Sequence, residues 1–159
     1  MESEVRERSP LYVNRADDEI LAQAKKIIDR RLKRQSKAVA RPECFKDMLR
    51  TRLAGQEREI VLVVFLDMRH RIIDIEEMFY GSVSSCGVSV RVILVEALKR
   101  NAAALVLVPN HPSGLSDPSE ADVDLTQRVR SACGLLEIKL LDHVIVGETV
   151  TSLAEQGLL

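Results

Sequence analysis

The chain has no tryptophan, only three phenylalanines and two tyrosines. Modules that bind single-stranded nucleic acid stack bases on aromatic platforms, so this composition argues against such a surface. Cysteine is scarce too. Cys44, Cys86 and Cys133 form an odd, scattered set without a C-x-x-C pair, which argues against a disulfide framework and against a zinc ribbon. They read as reduced thiols used as small apolar residues. Neither sign of charge dominates: 23 basic and 24 acidic side chains leave a net charge of −1, so global charge names no partner. No apolar run approaches the ~20 residues that a membrane span needs. The opening "MESEVRERSP" is too charged for a signal peptide. The expectation is a cytoplasmic protein without a membrane partner.

What is present is a chain of 159 residues, enough for one domain with a real core. From Asp17 the pattern is helical, with Ile20, Leu21, Ala24, Ile27, Ile28 and Leu32 on one face. A second helix starts near Pro42, carries Phe45, Met48, Leu49 and Leu53 inward, and stops near Gly55. The register then changes. "EIVLVVFLD" (59–67) is a continuous, β-branched apolar run, as in a strand covered on both faces. "DMRHR" reads as a turn, "IIDIEEMFYGSV" as a more exposed strand, and "VRVILVEALKRNAA" as an amphipathic helix. "ALVLV" (104–108) is another buried strand. Residues 119–135 are helical, with Leu125, Val129 and Ala132 on one side, and 137–153 are strand, turn and strand. Mixed strands and helices of this order predict an α/β (α+β) three-layer sandwich, a mixed central sheet flanked by helices. Residues 1–55 are read as an N-terminal helical extension and 56–159 as the domain.

"VPNHPSGLSDPSEAD" (108–122) gathers a histidine, prolines, serines and aspartates where a buried strand ends. His111 offers an imidazole nitrogen and Asp122 a hard carboxylate, both acceptable to zinc at ~2.0–2.2 Å. Ser119 opens the next helix, where its hydroxyl and free N–H groups could stabilise an oxyanion. S-x-x-D is equally a near capping box, with Ser119 as N-cap and Asp122 at the third helical position. Spacing alone leaves both readings open.

His111, seven residues, Ser119, two residues, Asp122 resembles the H-x-H-x7-S-x2-D motif of the JAMM (JAB/MPN) metalloprotease fold, which has a cytidine-deaminase-like core. "NHPSG", "PSEAD", "LLDHVIVG", "RLAGQEREIVLVVFLDMRHRII" and "ALKRNAAALVLV" resemble the RadC family, especially its short, UPF0758-type members. The resemblance covers about residues 17–159. It implies a zinc-dependent hydrolase acting on a peptide or isopeptide bond. His111 and Asp122 would be metal ligands and Ser119 the oxyanion helper. Glu59 would be the general base on metal-bound water. Glu57 reads as an exposed linker residue, and Glu76 and Glu77 as weaker candidates for the base. The family's name links it to DNA repair.

One ligand departs from the pattern. The first histidine of H-x-H falls on Pro109, which has no donor atom. The family's H-P-R-E segment is "SVRV" (89–92) here, with only Arg91 keeping its type. Catalytic zinc normally has three protein ligands and an open position, and activating water needs the metal's charge. The expectation is therefore zinc held weakly or not at all, and impaired hydrolysis. Asn110, His70 and His143 are the alternative donors, with His143 read as structural. The competing expectation is an inactive interaction module, associated with DNA repair or mobile-element functions. Lys25, Lys26, Arg30, Arg31, Lys33, Arg34, Lys37 and Arg41 cluster against Asp29 alone. Such a run attracts a phosphate backbone or serves as a solvated helix end. A peptide or protein substrate and a nucleic acid are thus the partners to test.

Overall fold

A computed structural model describes residues 15–34, 42–81 and 87–159, without the side chains of 15, 29 and 31–34. Cys86, Lys37 and Arg41 therefore lie outside the described residues, as do the side chains of Arg31, Lys33 and Arg34. The described residues form four helices and five strands, in the order α1 (Arg15–Arg34), α2 (Pro42–Leu53), β1 (Ile60–Leu66), β2 (Ile72–Tyr80), α3 (Val90–Lys99), β3 (Ala104–Pro109), α4 (Glu120–Gly134), β4 (Lys139–Val146) and β5 (Val150–Ser152). They build the expected α/β three-layer sandwich.

The sheet order is β2-β1-β3-β4-β5. β1 runs antiparallel to both neighbours, β3 and β4 are parallel, and β5 returns antiparallel to β4. The parallel pair requires a crossover, which α4 supplies. β1 is buried along its whole length, because helices cover both faces of the sheet. Val61, Val63 and Phe65 join Leu105, Leu107, Ile93, Leu125 and Val129 in one core beneath α3 and α4. Ile60, Leu62, Val64 and Leu66 join Val106, Val108, Phe45, Leu49 and Leu53 in a second core beneath α2. Burying side chains of this size contributes about 2 kcal/mol each.

α1 lies against α2 and β2. The positive φ of Gly55, +71°, ends the turn after α2, and Leu21 of α1 packs 3.5 Å from where a Cβ would stand. Among the cysteines, Cys133 is buried as expected, and burial pushes its thiol up to about 11. Cys44 is exposed on α2 and contributes nothing to the core, because the helix turns Phe45 and Leu49 inward instead.

Candidate functional site

Pleat alternation decides which side chains meet. Val61, Val63 and Phe65 face α3 and α4, so Glu59, two residues before Val61, belongs to the same face. On β3, Leu105 and Leu107 share that face, which places Pro109 there too, paired with Val61. Asn110 donates its N–H to the Ile60 carbonyl at 3.1 Å. The neighbouring Val61–Pro109 pair then falls at a position where antiparallel strands exchange no hydrogen bond. The missing N–H of proline is tolerated there on the β1 side.

The chain leaves β3 into the loop 110–118 and starts α4 on Ser119. That serine is the N-cap, and a full capping box forms. The Asp122 N–H donates to Ser119 Oγ at 3.1 Å, while Asp122 Oδ2 accepts from the Ser119 N–H at 2.9 Å and from its hydroxyl at 2.5 Å. The capping reading is thus realised, and it orients the carboxylate. Asp122 is completely buried. The single hydroxyl proton of Ser119 is given to Asp122.

His111 faces this carboxylate, its Nε2 at 3.5 Å from Oδ2. Its Nδ1 lies 2.9 Å from the Leu115 carbonyl. A carbonyl can only accept, so Nδ1 carries the proton. Contact with Asp122 raises the His111 pKa despite burial, and Glu59 adds a smaller electrostatic push in the same direction. Burial pushes the Asp122 carboxyl up, but His111, the two Ser119 bonds and His143 outweigh it and hold it at about 2. His111, Asp122 and Glu59 are thus brought to one end of the sheet, with Pro109 beside them.

His143 is the member that spacing did not attach to the site. It comes from β4, is completely buried, and sets Nε2 at 3.8 Å from Asp122 Oδ1. Its Nδ1 meets the Thr126 hydroxyl at 2.6 Å, and that hydroxyl also reaches the Asp122 carbonyl at 2.7 Å. Asp122 Oδ1 and His143 Nε2 have no hydrogen-bond partner among the described residues. Burial pulls the His143 imidazole down to about 4, against the attraction of Asp122. The signal for it was the pairing of β3 with β4, Leu107 opposite His143, which sequence spacing does not carry.

The other candidates are engaged elsewhere. The Asn110 amide is no free donor: Oδ1 accepts the Ile60 N–H at 2.6 Å and Nδ2 donates to the Arg58 carbonyl at 3.1 Å. It grips the backbone on both sides of Glu59. His70 sits exposed in the β1–β2 turn. Glu76 pairs with Arg100, and Glu77 accepts from the Tyr80 hydroxyl at 3.3 Å. Glu57 is exposed. Ser89, first residue of "SVRV", caps α3 and accepts from the Val92 N–H.

The RadC-like JAB domain profile matches residues 39–158. A UPF0758 protein of Vibrio cholerae serotype O1 is 45% identical over 138 residues, 87% of each chain. The chain belongs to the RadC-like JAB domain family. JAB domains suggest zinc, so the donor set can be tested for it. His111 has the preparation of a metal ligand, with a backbone carbonyl fixing its Nδ1 proton. Asp122 stands beside it. Beyond this pair, no group of three His, Cys, Asp or Glu among the described residues could hold a metal ion. By the H-x-H resemblance, the first ligand position falls on Pro109. The described residues do not fit a catalytic zinc, which takes three protein ligands.

Proposed function

We propose that this RadC-like JAB domain is impaired as a metallohydrolase and serves as a binding module for a peptide or protein. The observation carrying this reading is Pro109, on the same sheet face as His111 and Asp122 at the motif's first ligand position. The remaining His–Asp pair is instead held as an internal contact through Asp122 Oδ2. His111 is tied to Leu115 and Asp122 to Ser119. Asp122 raises the His111 pKa, which favours positive charge beside the carboxylate.

A second reading, a zinc hydrolase with a weak site, is favoured by one observation: the Leu115 carbonyl orients His111 as a metal ligand is oriented. Glu59 would then be its base, and Ser119 would serve as oxyanion helper only by releasing its hydroxyl from Asp122. Metal analysis of protein purified without chelator separates the two readings. The natural chain is expected to lose zinc on gel filtration, and Pro109→His to retain it. One added imidazole on a prepared frame is worth about 3 kcal/mol, roughly a hundredfold in Kd. Stoichiometric zinc in the natural chain overturns the first reading.

A further inference from the structure

A recess lies at the same end of the sheet. Asn110 and Val146 reach it from the side of α2, opposite the face that carries Asp122. Its volume is about 390 Å³, framed by the end of α2, the loop after β3 and the β4–β5 turn. That suits a ligand at the small end of those that pockets enclose. Of the residues discussed for zinc, His111 borders it, whereas Glu59, Pro109, Ser119 and Asp122 are not among its lining residues, so it adjoins the His–Asp pair at His111 alone.

Its walls are preformed. A Cβ on Gly147 would stand 2.3 Å from the Gly114 carbonyl oxygen, so glycine alone lets the two loops meet. The Glu148 N–H donates to that same oxygen at 2.8 Å, and the His111 N–H donates to the Val146 carbonyl at 2.8 Å. Two opposite charges border the recess, Arg50 from α2 and Glu148 from the turn. Neither side chain has a hydrogen bond or ion pair among the described residues, and they do not pair with each other. The Ser113 N–H, also at the border, has no backbone partner among the described residues.

We propose that this recess binds a small zwitterion, a free amino acid or a dipeptide, by its two charged ends. Arg50 and the Ser113 N–H take the carboxylate, because a guanidinium matches its planar geometry. Glu148 takes the ammonium group. The pocket discriminates by charge at both ends, and the loops locked by Gly114 and Gly147 need no rearrangement to receive the ligand.

Glycylglycine titrated into the 15N-labelled full chain tests this. The expected result is saturable shifts of the Gly55, Ser113, Gly114 and Gly147 amides. N-acetylglycylglycine, lacking the ammonium, and glycylglycinamide, lacking the carboxylate, bind about tenfold more weakly, the loss of one charge-assisted contact. Arg50→Ala weakens glycylglycine to the level of glycylglycinamide and leaves glycylglycinamide unchanged. Glu148→Gln does the same with respect to N-acetylglycylglycine. Both positions are exposed, so the fold is retained, which the unchanged remainder of the spectrum verifies. Absence of saturable shifts at these amides, equal binding of the blocked dipeptides, or full affinity in Arg50→Ala overturns the proposal.

Discussion

Arg100 is surrounded by Asp74, Glu76 and Glu96 at the solvent edge of the sheet, whereas Asp122 is surrounded by His111, His143 and Ser119 inside the domain. Both clusters set carboxylates against cationic or titratable partners. In the first, side-chain exposure runs from 20% to 41%, every acid has the guanidinium, and Arg100 also covers the Phe65 ring at 4.6 Å. In the second, Asp122 and His143 have none, and two of their buried polar atoms lack a hydrogen-bond partner among the described residues. A solvated network lets water complete what side chains leave unfinished. A buried one cannot. The incomplete cluster is therefore the one to read for function, and the complete one for stability. The contrast also separates two carboxylates that sequence offered as bases: Glu76 is spent on Arg100, while Glu59 shares the face of His111.

The largest expected effect is in the buried cluster and is a pH effect. The His143 imidazole titrates at 6.5 in an ordinary setting and at about 4 in the fold. Between those values the unfolded chain holds a proton that the folded chain refuses. Stability from this group is thus complete above 6.5 and is lost as pH falls through about 4. The loss is about 3 kcal/mol. His111 has the opposite sign, since its pKa is raised. Its contribution is complete below 6.5 and fades as pH rises through its folded value, so the two windows separate. Urea denaturation across the acidic window measures the slope, and His143→Gln is expected to flatten it. A slope unchanged in His143→Gln would assign the acid sensitivity to other groups and break the contrast between the clusters.

Next in size is Asp122 itself. Its carboxyl ordinarily titrates at 3.8 and sits at about 2 here, so the fold favours the charged form. Stability from it is present above 3.8 and is lost as pH falls through about 2. At neutral pH, Asp122→Asn is expected to cost about 2 kcal/mol, measured as a lower urea midpoint with unchanged slope. The capping geometry survives in part, because an amide oxygen still accepts the Ser119 N–H. No loss in Asp122→Asn would mean that the unpartnered Oδ1 already cancels the benefit of charge.

The sequence revealed the layers readily and the site only in part. β1 is legible because seven consecutive buried residues need covering on both faces, and "IVLVVFL" satisfies that with nothing polar. The helix α4 is legible from Ser119 and Asp122 because capping is local chemistry. Pro109 is legible as a lost ligand only through the family motif, since proline at a strand end is otherwise unremarkable. His143 reads as structural from the sequence, but its partner does not, and the role of Asn110 is not legible there. The first reaches Asp122 through strand pairing, and the second grips residues 58 and 60 across fifty positions of chain. Contacts made by register have no spacing signature, so they stay silent until the sheet order is known.

The smallest expected effect belongs to the exposed cluster. Arg100 joins three carboxylates from two elements: Nε meets Asp74 Oδ2 at 3.0 Å, Nη1 meets Glu96 Oε2 at 2.5 Å, and Nη2 meets Glu76. Lys99 and Arg100 together lower the Glu96 carboxyl. The number of partners looks impressive, yet water competes for each of them and salt screens what remains. Arg100→Gln is expected to cost about 1 kcal/mol or less, below the cost of Asp122→Asn despite removing more contacts. Raising the salt concentration should shrink that difference for Arg100→Gln and leave the Asp122→Asn difference nearly intact, because ions cannot reach a carboxylate without exposed surface. If Arg100→Gln proves the more damaging at high salt, its stem and its cover over Phe65 carry the stability rather than its charge, and Arg100→Met, which keeps the stem, would then restore most of the loss.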